Sequence, residues 1–515
     1  MDYDVIVIGG GHNSLTAAGL LAKAGRKLLV LEKRDRLGGL AAMEEFHPGY
    51  RVPGLLHDTA SVRPSVIDAL ELQRHGLALR PDEIPIFLPL SSGGGLHLQR
   101  NAVAAGTEIR NFSMEDASRY AEFQEFLERI RPFFLRVLDR PAPELAASGW
   151  GHLFELAGSA LALRRLSQKD MIEILRIGPM SVADWLNERF EGSLLKAGLA
   201  QSAVLGTWMG PWSAGTVVNF LLDELRRGFE ILGGPAALVA ALEASCRSRG
   251  AEIRTGCAAA RILIDSGRVR GVALQDGSEI TAGIVVSGCD PKRTVLKLID
   301  PRDIPSSMAT AISHWRCRGT TAKLHLALSG PLEFSGRPGT RIEAARTGEE
   351  LDDLERAFDA VKYDECSHVP ILDVRIPTIS DPSLAPEGHH VVSILASFAP
   401  YHLRGGWTEE RRKSFGDAVI AALSKAAPSL SDRIVAGELL TPVDLEERYG
   451  ITGGHIHHGE HALDQLFSLR PHPSCARQAT PLPGLFLASG GTHPGGGITC
   501  ASGALAAEAV LTRRG

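Results

Sequence analysis

The 515-residue chain lacks a charge excess of either sign: 55 Lys and Arg face 60 Asp and Glu, for a net charge of −5. A polynucleotide binder needs a basic surface to displace counterions, so nucleic-acid partners are not expected. Cysteine is sparse, seven residues at 246, 257, 289, 317, 366, 475 and 500, with no C-x-x-C pair and no short-spaced cluster. That spacing builds neither a zinc knuckle nor a disulfide framework, and a reducing, cytoplasmic setting is expected. No apolar run approaches the roughly 20 residues of a membrane-spanning helix. The opening Asp2-Tyr3-Asp4-Val5-Ile6-Val7-Ile8 has no basic stretch ahead of its apolar one, and it reads as a strand rather than a targeting segment. A Ser-His-Asp signature and a P-loop are missing too, so hydrolase and kinase chemistry have no footing. What the chain has is 55 glycines, gathered in clusters, with 44% hydrophobic and 22% charged residues. The composition is globular, and the length suits two domains or one with a large insertion.

The first cluster follows a continuous apolar run, Val5-Ile6-Val7-Ile8, of the kind found in a parallel strand covered on both faces. Gly9-Gly10-Gly11-His12-Asn13-Ser14 comes next. Leu15, Ala18, Leu21 and Ala22 then recur at helical spacing up to Gly25, and Lys27-Leu28-Leu29-Val30-Leu31 leads to Glu32. This is a βαβ unit with an acid about twenty residues past the glycines, as a dinucleotide site requires. Gly9 permits the tight turn, Gly11 lets backbone approach a pyrophosphate, and the helix N-terminus aims N–H groups at the anion. Glu32 can accept from ribose hydroxyls and would repel a 2′-phosphate. Ser14 stands where a third glycine is usual, which predicts a slightly wider gap between helix and strand. A second such unit is not evident: Ser91-Ser92-Gly93-Gly94-Gly95 reads as a hairpin, and Leu232-Gly233-Gly234 has no preceding strand.

A second glycine cluster stands near the end, Gly490-Gly491 and Gly495-Gly496-Gly497. Segments VIVIGGGHNSL, LEKRDRLGG, ILGGPAALVAAL, GCAAARILIDSGRVRGVAL, GGHIHHGEHALDQLFSLRP and LFLASGGTHPGGGITCASG span nearly the whole chain. Together they resemble the FAD-dependent amine oxidase and phytoene desaturase superfamily, and within it the phytoene-desaturase-like, pyridine-nucleotide-disulfide-oxidoreductase-domain-2-like branch. The resemblance implies an α/β fold, with a Rossmann-type, glutathione-reductase-like FAD-binding domain and an inserted α+β cap. It also implies FAD as cofactor. Lys33, Arg34, Gly38, Gly39 and Leu40 would lie near the pyrophosphate region. Amine oxidases usually carry Arg at the position of Leu40, which argues against a plain amine oxidase. Ala259 would face adenine, and Gly490 and Gly491 would sit near the pyrophosphate and ribityl chain. Pro494, Gly495, Gly496, Gly497 and Ile498 would open a helix against the flavin; such a helix end would favour negative charge there.

The FAD-binding part is expected in three pieces, 1–70, 228–295 and 480–515, with 71–227 and 296–479 building the cap. In the cap, Tyr120, Phe123, Phe126, Leu127 and Ile130 recur at helical spacing, as do Val182, Trp185 and Leu186 with Phe190. Leu153 to Leu166 is apolar and followed by arginines, a pattern that suits a core helix or one resting on a bilayer, so peripheral membrane contact stays open.

For the chemistry, His57 and Asp58 are the first polar candidates, in a stretch the family runs past the isoalloxazine; turn capping is the other account of them. Trp208 and Trp212 would line a substrate cavity or form an aromatic core pair. His455, His457, His458 and His461 with Glu460 have metal-ligand chemistry, but the family has a cavity-lining loop here, so no metal is assigned. A strand through this loop would put His455 and His457 on one face. His493 would tune the flavin or satisfy a loop. The expected activity is dehydrogenation of a largely apolar small molecule by hydride transfer to FAD, the electrons passing to oxygen, a quinone or another acceptor. A flavin-dependent isomerase and a non-catalytic FAD-binding scaffold are the alternatives; oligomeric state is open.

Overall fold

The computed structural model describes residues 1–143 and 163–512. Most of the apolar stretch from Leu153, the candidate for bilayer contact, lies outside the described residues. Among the described residues no helix is long and apolar enough to cross a membrane.

Val5 to Ile8 are buried on both faces, as their continuous apolar character requires, and they form β1 (Tyr3–Ile8). Helix α1 (His12–Lys23) starts on an N-cap at Gly11 and stops before Gly25, whose φ of +80° takes the chain out of the helix. It returns the chain to β2 (Leu28–Leu31), parallel to β1 with Val5 opposite Leu28. Further parallel strands flank this pair: Glu252–Arg254 beside β2, the end of Glu279–Ser287 beside β1, and Leu485–Leu487 outermost. One sheet thus draws on the beginning, the middle and the end of the chain. An antiparallel meander, Ala259–Asp265, Arg268–Leu274 and Glu279–Ser287, extends it. The last of these runs unbroken for nine residues.

Helices Gly234–Ser248 and Ala501–Thr512 pack with α1 on one face of this sheet, around Leu15, Leu21, Leu238 and Leu242. Burying each such leucine contributes roughly 1.5–3 kcal/mol. The Asn13 side chain accepts from the Gly503 N–H at 3.3 Å, tying α1 to the final helix.

A second seven-stranded sheet runs in the order Ile434–Leu440, Thr321–Leu328, His390–Ser397, Ile371–Arg375, Ala344–Arg346, Ile86–Pro89, Gly95–Leu98. The last two strands are the expected hairpin. On one side Phe415, Val419 and Leu423 of helix Glu409–Ser424 pack against Phe87, Leu324 and Ile394. Helices Met114–Leu138, Val182–Asn187, Ser193–Val204 and Thr216–Glu224 share another core, in which Phe123 meets Trp185 at 5.2 Å and Phe190 at 5.4 Å between ring centres. Tyr120, Phe123, Phe126, Leu127 and Ile130 all lie buried along the 25-residue helix, as their spacing predicts.

The second sheet's register has a functional consequence. Lys323, Leu395, Asp373 and Arg346 stand side by side across four strands, with His325, Ser393 and Arg375 in the neighbouring row. Side chains alternate between faces, so the partners of Leu324, Leu372 and Val374 in sequence form a polar face, and it is buried.

Candidate active site

A large cavity runs along the carboxyl ends of β1 and β2, where open α/β sheets bind nucleotides. It encloses about 1100 Å³, part of it open to solvent, at the upper end of what ligand pockets occupy. Its walls include Gly9 to Ser14, Glu32, Lys33, Gly39, Leu40, Ala259, Gly490, Gly496 and Gly497. Gly9 turns the chain with φ +91°. A Cβ placed on Gly11 would meet nothing nearer than the Gly38 carbonyl at 4.0 Å and would fill this cradle instead. Glu32 is buried; its carboxylate accepts the N–H of Gly10 at 2.6 Å and of Arg34 at 2.8 Å, which closes the glycine turn against β2. The expected widening at Ser14 is absorbed by Gly288: a Cβ there would come within 1.9 Å of the Ser14 Oγ.

The polar atoms of these walls suit FAD. In the first turn of α1 the N–H groups have no intrahelical acceptor. His12 Nε2 and His458 Nδ1, both wall residues, are buried without a hydrogen-bond partner. Among the described residues no acceptor meets the N–H groups of Gly497 and Ile498. Burial holds His12 and His458 at about 4, neutral at physiological pH. Lys33 is lowered by burial and by Arg293.

Several of the expected contact residues do not line the cavity. The Arg34 guanidinium turns away from the cavity, bonds Glu44 at 2.6 Å and lies over the Tyr449 ring. Gly38 shapes the turn by donating to the Gly10 carbonyl, and Gly491 backs onto Pro291. Neither Pro494 nor Gly495 reaches this cavity, and Ile498 lines the adjoining one. The glycine run does not begin a helix: Gly497 at φ +92° and Cys500 at φ +62° break the helical path, and the helix starts at Ala501. The donors at this point are loop N–H groups, so the helix-end argument does not apply to Gly495–Gly497. His493 lines neither cavity. It is fully buried and its Nε2 lies 3.2 and 3.0 Å from the carbonyls of Val137 and Arg140, where the long helix ends.

A second cavity of about 860 Å³ shares Leu56, Ile456 and Gly497 with the first. His57, Asp58, Asp223, Arg226, Asp373, Arg375 and His457 line it together with apolar Leu205, Leu395 and Ile498. The walls are therefore mixed, where the sequence reading expects a largely apolar lining. Asp58 pairs with Arg227 at 2.5 Å and accepts the Ala60 N–H, so it holds a turn as well as facing the cavity. Burial opposes its ionisation, but Arg227 keeps its carboxyl below the usual range. His57 Nδ1 lies 3.2 Å from Lys323 Nζ, and burial lowers both groups well below their usual values. Asp373 bonds Arg346 at 2.9 Å and Glu230 bonds Arg375 at 3.2 Å. Burial raises the Asp223 carboxyl to about 6, against the pull of Arg227.

Residues 455–461 are a loop, not a strand; left-handed Gly453, Gly454 and His458 break the extended path. His457 faces the second cavity, stacked on His461 at 4.5 Å, while His458 faces the first. Burial keeps His457 at about 4 and His461 well below its usual value. Arg470, not anticipated from sequence, fixes this loop by donating to the carbonyls of His457, Gly459, Glu460, Gln465 and Gly490. Trp212 does not line the cavity. It is 43% exposed and its indole N–H meets Asp352 at 3.3 Å, while Trp208 lies under Arg318 and against Phe358.

Comparison with known proteins agrees with this geometry. A family model of flavin containing amine oxidoreductases matches residues 15–511. The chain is 31% identical to pyridine nucleotide-disulfide oxidoreductase domain-containing protein 2 of Mus musculus, across 99% of this chain and 93% of that protein. It is 25% identical to the zeta-carotene-forming phytoene desaturase of Myxococcus xanthus, across 99% and 94%. Cyclohexylamine oxidase from Brevibacterium oxydans shares the fold, with a TM-score of 0.57 at 17% identity and full coverage of both chains. The chain belongs to the flavin containing amine oxidoreductase family and is an FAD-dependent oxidoreductase.

Proposed function

We propose that the protein dehydrogenates a small molecule seated in the second cavity, next to FAD held along the first. The observation that carries this reading is the shared wall: Leu56, Ile456 and Gly497 belong to both cavities, so a ligand in one abuts a ligand in the other. Gly9 to Ser14 would cradle the pyrophosphate, Glu32 would accept from the ribose, Ala259 would lie against adenine, and Gly490, Gly496 and Gly497 would flank the flavin end. Bound there, FAD supplies the hydride acceptor.

The chain's own contribution is positioning and proton handling. Leu56, Leu205, Leu395 and Ile456 offer an apolar bed that displaces water from most of the substrate, in keeping with a substrate of largely apolar surface. Asp223, with its carboxyl raised to about 6, is poised to take a proton from the substrate near neutral pH. The neutral imidazoles of His57, His457 and His461 can accept or donate hydrogen bonds without adding charge. A single dinucleotide unit in the sequence favours oxygen, a quinone or another diffusing molecule as electron acceptor over NAD(P).

The test is an anaerobic titration of the purified yellow protein with candidate substrates. Loss of the flavin colour on adding substrate, restored by air or a quinone, is the expected result. Product formation with no lasting bleaching would replace dehydrogenation by isomerisation. Neither outcome with any apolar or amphipathic candidate would leave the protein without this activity.

A further inference from the structure

Four ion pairs can be traced through the buried belt around the second cavity. Asp58 is paired with Arg227 at 2.5 Å, Asp223 with the same arginine at 3.8 Å, Asp373 with Arg346 at 2.9 Å and Glu230 with Arg375 at 3.2 Å. Arg226 is left over. It is 8% exposed and lines the cavity, yet among the described residues no carboxylate forms an ion pair with it. Its Nε donates to the Leu222 carbonyl and its Nη1 to the Gly496 carbonyl at 3.3 Å; its Nη2 has no acceptor among the described residues. Arg470, the other buried arginine without a carboxylate, differs, because all three of its nitrogens are engaged by carbonyls. Arg226 stays protonated at neutral pH, lowered by burial only to about 10.

Asp223, Asp58 and Asp139 act on Arg226 only from beyond ion-pair distance, and a buried cation with no anion in contact is costly. A second group on the same surface has a donor to offer: Asn219, 4% exposed, directs its amide nitrogen only at the weakly accepting Met209 sulfur at 3.7 Å, while its Oδ1, an acceptor, is buried without a hydrogen bond and cannot serve an anion. Asn219, Asp223 and Arg226 are four and three residues apart, so they follow one face of helix Thr216–Glu224 and its exit, and all three line the cavity.

We propose that Arg226 anchors a carboxylate of the substrate, with Asn219 alongside, so that the substrate is an amphipathic carboxylic acid. This rests on the second cavity being the substrate site. The free Nη2 can donate a charge-assisted hydrogen bond to a carboxylate oxygen. A phosphate dianion is disfavoured, because Asp58, Asp223 and Asp373 share the walls and one free arginine nitrogen offers too few donors. The apolar chain of the acid would lie along Leu56, Leu205, Leu395 and Ile456, in the direction of the shared wall.

The test is calorimetric titration of the FAD-loaded protein with octanoate, octanol and octylamine, which differ only in head group. Octanoate is expected to bind at least tenfold more tightly than the other two. Arg226→Gln should lose at least tenfold for octanoate and leave octanol unchanged, Arg226→Lys should keep part of the preference, and Asn219→Ala should weaken octanoate several-fold. Equal binding of the three ligands by the native protein overturns the proposal. So does an Arg226→Gln protein that binds octanoate undiminished while its flavin potential shifts, since the cation would then serve the cofactor. If Arg226→Gln does not fold, the native ligand series and Asn219→Ala still decide. A native protein that prefers octanoate but takes up no FAD would sink the dehydrogenase reading and leave this one standing; FAD uptake without octanoate preference would do the reverse.

Discussion

Ser14 and Gly288 are complementary: the serine hydroxyl occupies the space that a side chain on Gly288 would need, 1.9 Å from where its Cβ would lie. The dinucleotide motif has given up a glycine on α1 and recovered the room on the strand end beside it. Gly288→Ala should therefore overpack the junction and cost about 1–3 kcal/mol. Adding Ser14→Gly should restore most of that loss. Denaturant unfolding of the two variants checks it; additive or independent losses would contradict the pairing.

Asp223 sets a pH expectation. A carboxyl raised to about 6 is protonated below that value and becomes a base above it. If it takes a proton from the substrate, kcat/KM should fall tenfold for each pH unit below about 6. Asp223→Asn should lower kcat/KM by about 10²–10⁴-fold, the usual weight of a general base, and remove this acid limb. A limb that survives the substitution would assign the proton to another group.

Arg470 should be a stability residue. Replacing it by Met would leave the carbonyls of His457, Gly459, Gln465 and Gly490 without this donor and that of Glu460 with only the Gln465 amide at 3.4 Å. Buried unpaired polar groups cost about 1–3 kcal/mol each, so a loss above about 3 kcal/mol is expected in chemical denaturation, with Lys recovering only part of it.

Trp212 provides the contrast. Exposed, with its side chain bonded to Asp352 through the indole N–H and its backbone N–H to Glu355, it should tolerate Ala with kcat/KM changed less than about twofold, since substitutions outside the core are usually within ±0.5 kcal/mol. A tenfold drop in steady-state kinetics would return it to the substrate cavity.

The parts of the site made by backbone were legible in sequence. Gly9, Gly11 and Glu32 occupy their places because a strand, a glycine turn and a helix follow one another locally, with the acid at the end of the next strand. The meander's turns at Ser266-Gly267 and Asp276-Gly277 are short-range signals of the same local kind. What could not be read was the polar face of the second sheet. Lys323, His325, Asp373 and Arg375 alternate with apolar residues, a pattern that ordinarily means a solvated face; only the cover supplied by the rest of the chain turns it into a cavity wall. The directions of the His493, Trp212 and Arg34 side chains were not legible either; for His493 the structure shows the loop-satisfying role, one of its two sequence accounts. Their partners, Val137, Asp352 and Glu44, are set by tertiary packing that no local pattern encodes.

The account depends most on FAD lying in the cradle that Gly11 leaves open. The direct measurement is the flavin released on denaturing the purified protein, compared between the native chain and Gly11→Val, whose Cβ would enter that space with no neighbour nearer than the Gly38 carbonyl at 4.0 Å. Equimolar FAD in the native protein, and at least a tenfold loss of FAD affinity in a Gly11→Val protein whose circular dichroism is unchanged, is the predicted result. Native protein that neither carries nor takes up FAD, or a folded Gly11→Val variant that binds it as tightly, would contradict it.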